Sequence, residues 1–153
     1  MNSLENKVPP PIVALLIGTV MWTVARLSPL PEGESPLRLA TACGLAGLGL
    51  LVLVLGVLAF RRAKTTINPV NIEVASSIVT SGVYRYTRNP MYVGFASMLV
   101  GWAVHIAVPF VMLGPAVFIL FITRFQIIPE ERVLASKFGV EYRKYQDRVR
   151  RWL

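Results

Sequence analysis

Charged side chains that can do chemistry stand near the end of the last long apolar run. Arg124 lies inside that run, and the adjacent acids Glu130 and Glu131 follow it. A planar guanidinium binds carboxylate or phosphate through paired hydrogen bonds, so Arg124 is a candidate anion clamp. An arginine at this place can instead extend to lipid headgroups. Adjacent carboxylates on a helix point in different directions and are poorly placed to act as one acid–base pair. One could hold a cation or an amine while the other pairs with Arg88 or Arg85, but acids also favour helix starts, so their role stays open.

A second polar segment precedes the third apolar run. It covers residues 76–92 and contains Tyr84, the turn-forming pair Asn89-Pro90, and Tyr92. Tyrosine and asparagine side chains both donate and accept hydrogen bonds, and Asn-Pro is typical of a turn. If the third and fourth runs form a hairpin, Tyr92 and Ile128 lie at one membrane level. The sequence therefore predicts that the two polar segments face each other at that level.

Apolar runs must position these segments. The chain has 153 residues, of which 54% are hydrophobic and 16% charged, against about 25% charged in soluble domains. The runs cover residues 11–27, 39–60, 92–108 and 109–128. About 20 apolar residues in a helix cross a hydrocarbon core of roughly 30 Å. We therefore predict an all-α membrane protein, a single domain with four transmembrane helices, in which Gly114-Pro115 bends the fourth.

The basic residues predict an orientation. Residues 1–10, 61–91 and 124–153 hold fourteen of the sixteen Lys and Arg residues, and Arg26 and Arg38 are the other two. Because cytoplasmic loops of membrane proteins are enriched in Lys and Arg, we expect both termini in the cytoplasm, with the inner or plasma membrane as location. Residues 61–91 are then a cytoplasmic loop. The net charge of +8 fits an anionic membrane surface, and no nucleic-acid-binding motif is present.

The segment after the fourth run has a different character. Leu134, Phe138, Tyr142 and Tyr145 recur at spacings of three and four, with basic residues between them. This pattern predicts an amphipathic helix over residues 130–153 that lies on the cytoplasmic leaflet, with Gly139 as a possible division.

Three other features carry little chemistry. His105 is the only histidine and Cys43 the only cysteine, so neither histidine nor cysteine clusters can hold a metal, and no metal site is expected. Gly44, Gly47 and Gly49 lie within an apolar run, which favours close helix packing over a phosphate-binding loop.

Two motifs together resemble the isoprenylcysteine carboxyl methyltransferase family, whose relatives include phospholipid N-methyltransferases. The first motif is the stretch from Ser81 to Gly94, SGVYRYTRNPMYVG. A hydrophobic hairpin separates it from the second, Glu130-Glu131-x-x-Leu134-x-x-x-Phe138-Gly139-x-x-Tyr142-x-x-Tyr145. The resemblance covers roughly residues 65–152.

This resemblance implies S-adenosylmethionine as cofactor and a lipophilic methyl acceptor. The implied cofactor-binding residues are Ile78, Val79, Tyr84, Asn89, Pro90, Met91, Tyr92, Glu130 and Glu131. It places Arg124 at the acceptor and gives Arg124 and Glu130 as candidate catalytic residues. Asn89 stands where eukaryotic members have histidine, so a histidine that titrates near neutral pH is absent there.

The resemblance leaves the acceptor open. We expect the carboxylate of an isoprenylcysteine-like substrate, with a phospholipid or another amine as the alternative. Sterol reductases that use NADPH share a similar helical core and are a weaker third candidate. A non-catalytic interaction protein of the same fold is the alternative from another class. Contacts with membrane lipid are expected, and the oligomeric state stays open.

Overall fold

Helices form every regular element that the structure describes. The computed structural model describes Glu5 and residues 7–28, 35–63 and 77–153. The helices are α1 (Pro10–Arg26), α2 (Pro36–Arg62), α3 (Pro90–Ile106), α4 (Leu113–Ile122) and α5 (Ile128–Arg148). The all-α prediction is confirmed for these residues. Much of the predicted loop over 61–91 lies outside them, because residues 64–76 are not described.

Proline begins the first three helices. Pro10, Pro36 and Pro90 lie in the first turn, where a backbone N–H has no intrahelical partner and its absence costs nothing. The hydroxyl of Ser35 caps α2 by accepting a hydrogen bond from the Arg38 amide at 3.4 Å. Asn89 precedes α3 without capping it, so its side chain is available for another contact.

Two helices in the described residues are long and apolar enough to cross a membrane. They are α2 and the continuous helical stretch Pro109–Arg148. The second has 40 residues and, at about 1.5 Å per residue, is far longer than a hydrocarbon core of roughly 30 Å. Only its apolar half, residues 109–128, has the composition to lie in hydrocarbon. Helices α1 and α3 are apolar but have 17 residues each, so the four-span topology stays a prediction.

The predicted fourth transmembrane helix and the predicted amphipathic helix belong to one continuous helical stretch. A 3₁₀ turn (Pro109–Met112), α4, a π-helical turn (Thr123–Ile127) and α5 follow one another without a loop. Pro115 lies in the first turn of α4, where proline is tolerated, and the bend at Gly114-Pro115 stays a prediction. The π-helical turn precedes Pro129, which has no N–H to donate to the preceding turn of the helix.

A kink at Gly139 divides α5, as the sequence suggested. Gly139 has φ +52° and ψ −118°, a conformation that glycine adopts without a steric penalty. The second half of α5 then ends at Arg148 rather than continuing to residue 153. The residues after it return to the body of the protein, where the indole N–H of Trp152 donates to Thr123 Oγ1 at 3.1 Å. A single surface helix over 130–153 is therefore not what forms.

Glycine permits α2 and α3 to approach closely. A Cβ atom built on Gly94 is 2.6 Å from the carbonyl oxygen of Gly49, and one on Gly101 is 2.8 Å from that of Ala42. The Ser97 hydroxyl donates to the Leu45 carbonyl across the same interface at 2.8 Å. Close packing was predicted for Gly44, Gly47 and Gly49. It is confirmed for Gly49 and wrong for the other two, because nothing lies within 4 Å of a Cβ atom built on either.

Gly94→Ala is expected to lower the free energy of unfolding by about 1–3 kcal/mol, since the added methyl group meets backbone and must push the helices apart. Gly47→Ala is the matched control, because nothing lies within 4 Å of a Cβ atom there. Thermal unfolding of both variants in one detergent tests this. Equal melting temperatures would show that the α2–α3 interface tolerates separation.

Candidate active site at one end of the helices

Tyr92 and Glu130 meet at the centre of the site. Tyr92 lies in the first turn of α3 and Glu130 in the first turn of α5, and the tyrosine hydroxyl donates to Glu130 Oε1 at 2.6 Å. Glu130 lies beyond the apolar half of its helix. Burial raises its pKa to about 7, the hydrogen bond from Tyr92 opposes this, and the neighbouring charge of Glu131 adds to it. Near neutral pH, Glu130 is therefore divided between acid and carboxylate.

Glu131 faces a different set of partners. Arg151 donates to both of its carboxylate oxygens, at 3.0 Å from Nε and 2.7 Å from Nη2. Arg88 Nη2 lies 3.3 Å from Glu131 Oε1, and the side chains of Arg88 and Glu131 are only 11% and 13% exposed. The prediction that one glutamate pairs with Arg88 or Arg85 is confirmed for Arg88.

The arginine Arg88 is only partly satisfied. Its Nε and Nη1 atoms are buried and have no hydrogen-bond partner among the described residues. Buried guanidinium nitrogens without an acceptor are rare in proteins, because each loses its hydration without compensation. Beside the Glu131 carboxylate, the site therefore contains N–H groups of Arg88 that can donate to a ligand.

The segment after α5 completes the site from the other side. The backbone N–H of Arg88 donates to the Arg150 carbonyl at 2.9 Å, and the Asn89 side-chain amide donates to the Arg151 carbonyl at 2.9 Å. The Thr87 hydroxyl donates to the same carbonyl at 3.3 Å. Asn89, predicted at the cofactor, thus uses its amide N–H to hold the returning chain.

Three tyrosines enclose this cluster. Tyr84 is buried in the 3₁₀ turn Gly82–Arg85, and its backbone carbonyl accepts a hydrogen bond from the Tyr145 hydroxyl at 2.7 Å. Burial raises the pKa of Tyr142 to about 12 and raises those of Tyr84 and Tyr145 as well. All three phenols therefore stay protonated at neutral pH, and that of Tyr145 donates a hydrogen bond within the site.

The remaining predicted cofactor residues form apolar surroundings. Val79 and Pro90 are buried, and Ile78 is partly exposed. Met91 points toward α2, where its Cγ would lie 2.9 Å from a Cβ atom on Gly56. Among the described residues, no group of three or more His, Cys, Asp or Glu side chains could hold a metal ion.

Arg124 lies apart from this cluster. It belongs to the π-helical turn, its side chain is 45% exposed, and its Nη1 donates to Glu5 Oε1 at 3.2 Å. Arg132 approaches the other oxygen of Glu5 at 3.5 Å. The hydrogen bond from Arg124 lowers the pKa of Glu5, so this side chain is a carboxylate at neutral pH.

Apolar helices with a buried, hydrogen-bonded polar cluster at one end define a membrane protein with an enclosed polar site. The chain belongs to the phospholipid methyltransferase family, whose model matches residues 37–141. That range contains the whole first motif and Glu130-Glu131 of the second. The expected membership of this group of membrane methyltransferases is confirmed.

Two individual relatives are named as isoprenylcysteine methyltransferases. The chain is 33% identical to protein-S-isoprenylcysteine O-methyltransferase A of Arabidopsis thaliana over 111 residues, 66% of this chain and 55% of the relative. It is 30% identical to enzyme B of the same plant over 112 residues, 69% of this chain and 57% of the relative. The chain thus spans about half the length of these enzymes. An uncharacterized protein of Haemophilus influenzae is 46% identical over 63 residues, 41% of this chain and all of that protein. No solved structure matches.

Proposed function

We propose that this protein transfers a methyl group from S-adenosylmethionine to a lipophilic acceptor, the carboxylate of an isoprenylcysteine-like molecule. The observation that carries the proposal is the buried cluster of Tyr92, Glu130 and Arg88. It pairs an acid of raised pKa with a guanidinium that has two unpaired nitrogens. The names of the plant relatives support the same reaction.

The cluster fits the charges of this cofactor. S-adenosylmethionine carries a cationic sulfonium and ammonium together with a carboxylate. A cation beside Glu130 would favour its ionised form, and an anion beside Arg88 would accept from its free N–H groups. Tyr92, Glu130 and Arg88 would hold the polar part of the cofactor, and Ile78 and Val79 would line the site next to it.

The reaction needs little from the protein beyond placement. When bound, the cofactor supplies an electrophilic methyl group. An acceptor carboxylate is already ionised, so its oxygen forms the new bond as the carbon–sulfur bond breaks, and no residue has to remove a proton. The protein must align the two groups and exclude water, which a site between membrane helices and the folded-back chain can do.

We further propose the orientation that the basic residues predict. The Tyr92–Glu130 cluster then lies on the cytoplasmic side of the inner or plasma membrane, where the polar cofactor can enter. The four-span topology of the single domain belongs to this proposal, with α1 and α3 crossing a locally thinned bilayer.

A phospholipid or other amine is the second candidate acceptor. The pKa of about 7 for Glu130 favours it, because a carboxylate of that basicity can accept the proton that an ammonium must lose before methylation. Amine methylation would then fail below pH 6, whereas carboxylate methylation needs no such proton transfer. Assays with both acceptors across this pH range separate the two.

Calorimetric titration of detergent-purified protein with S-adenosylmethionine and S-adenosylhomocysteine tests the cofactor. Both should bind, and Tyr92→Phe should bind about tenfold more weakly, because the Tyr92 hydroxyl positions Glu130 and lowers its pKa, which favours the carboxylate that attracts the cofactor's positive charge. Tyr86→Phe is the matched control, since Tyr86 is 77% exposed. Well-folded protein that binds neither compound would reject the enzyme and favour a non-catalytic interaction protein.

A further inference from the structure

The chain before α1 lies across the π-helical turn. We call Glu5 and residues 7–9 the strap. The amide of Gln126, which is fully buried, donates to the Val8 carbonyl at 2.7 Å and fixes one end. At the other end Glu5 is only 7% exposed, whereas Arg124 and Arg132 around it are 45% and 56% exposed. A carboxylate of this chain therefore sits covered between two accessible arginines.

This carboxylate is held less firmly than the others nearby. Arg124 and Arg132 each reach Glu5 through one nitrogen, at 3.2 and 3.5 Å. Glu131, by contrast, receives two bonds from one guanidinium, the shorter at 2.7 Å. Ion pairs with exposed partners contribute little to stability because water screens them, and each guanidinium has five N–H donors. A second carboxylate can thus replace Glu5 at small cost.

Arg132 directly follows two residues of the candidate active site, and Arg124 meets it at Glu5. Glu130, Glu131 and Arg132 are consecutive and project toward Tyr92, toward Arg88 and toward Glu5 respectively. An apolar groove of about 610 Å³, a usual size for a ligand site, starts where the strap ends. It runs between α1 and α3 and is lined by Pro11, Leu15, Trp22, Phe95 and Leu99 among others. Phe95 is one helical turn from Tyr92, so the groove begins near the candidate active site. The apolar part of an amphiphile with an anionic end has room in it.

We propose that Arg124 and Arg132 together bind the carboxylate of the methyl acceptor, and that Glu5 fills this site until the acceptor displaces it. The inference rests on the proposed function and adds to it a second arginine and an internal competitor. The Glu5 carboxylate of the strap then occupies the acceptor site in place of the substrate's carboxylate. An acceptor without a negative charge has nothing to gain from displacing it.

The test compares N-acetyl-S-farnesylcysteine with its methyl ester, which lacks the carboxylate. Binding to the full chain is measured in detergent with S-adenosylhomocysteine present, so that no turnover occurs. Glu5→Gln should bind the acid about tenfold more tightly, as expected when an internal competitor occupies the site about nine-tenths of the time. Its affinity for the ester should not change. Arg132→Gln should weaken binding of the acid, and Glu5→Gln added to it should have a smaller effect.

Glu141 is an exposed acid of α5. Glu141→Gln is the control and should change neither affinity. Unchanged or weaker binding of the acid by Glu5→Gln, or an equal gain for acid and ester, would show that Glu5 only stabilises the fold. A gain for phosphatidylglycerol in nanodiscs without one for the acid would assign the arginines to lipid phosphate and overturn the proposal. Titration with S-adenosylhomocysteine alone in the same samples reports separately on the cofactor site.

Discussion

Glu131→Gln is expected to lower the free energy of unfolding by about 3–5 kcal/mol, the range found when one partner of a buried ion pair is removed. Arg88 is the reason. Its side chain is 11% exposed, two of its nitrogens are already unpaired, and Glu131 is its only ion-pair partner among the described residues. Glutamine keeps the size of the side chain and removes the charge, so a buried guanidinium is left without compensation. Arg151 loses the same partner but is 39% exposed and can turn to water.

Thermal unfolding in detergent at pH 7.5 measures this effect, with Glu141→Gln as the control, because residue 141 is exposed. The double variant Arg88→Met with Glu131→Met should be more stable than Glu131→Gln alone, since it removes both buried charges together. If Glu131→Gln unfolds at the temperature of the wild type, the ion pair does not hold the site together.

Glu130→Gln is expected to weaken binding of S-adenosylmethionine by about 10- to 100-fold at pH 8, from the roughly 1.5–3 kcal/mol of a hydrogen bond to a charged group. The wild type should bind more tightly as pH rises from 6 to 8, because the carboxylate that attracts a cation forms with a pKa of about 7. Glutamine has no such titration, so binding by the variant should be flat over this range. Calorimetry at several pH values gives both slopes. If the affinity of the wild type does not change with pH, or if wild type and variant change equally, Glu130 does not bind the cation.

The raised pKa of Glu130 also affects the stability of the protein without cofactor, which should fall as pH rises while affinity for the cofactor increases. Since burial raises the pKa of Glu130 from 4.5 to about 7, the folded state retains a proton that the unfolded chain loses. The contribution of Glu130 to stability is full below pH 4.5 and is lost as pH rises to 7. Glu130→Gln should therefore melt at a higher temperature than the wild type at pH 8 but not at pH 4.5. One substitution should thus raise stability and lower affinity together.

Local signals predicted much of this structure. Runs of apolar residues indicated that the elements are helical, with starts predicted at residues 11, 39 and 92, where the structure begins the helices at Pro10, Pro36 and Pro90. The two polar segments were predicted to face each other, because a short hairpin fixes the membrane level of its two ends. Pairing of one glutamate with Arg88 was one of the alternatives left open. Each inference rested on residues close in sequence or on one connection of known length.

Contacts that depend on chain reversal were not predicted. The spacing of Leu134, Phe138, Tyr142 and Tyr145 is the same whether a helix continues or is broken, so it did not show that Arg151 returns to Glu131. Gly139 was the one signal for this. Nothing local indicated Glu5 as the partner of Arg124, which lies 119 residues away.

The return of the chain after Gly139 also fixes an order of assembly. Asn89 and Arg151, which hold the site closed, are 62 residues apart. At about 5–20 residues per second of synthesis, the second is made roughly 3–12 seconds after the first. Until Glu130 and Glu131 follow, Tyr92 and Arg88 have no partners from α5 and must remain hydrated at the membrane surface. The nascent chain thus places its helices first and completes its binding site only after Arg151 has been made.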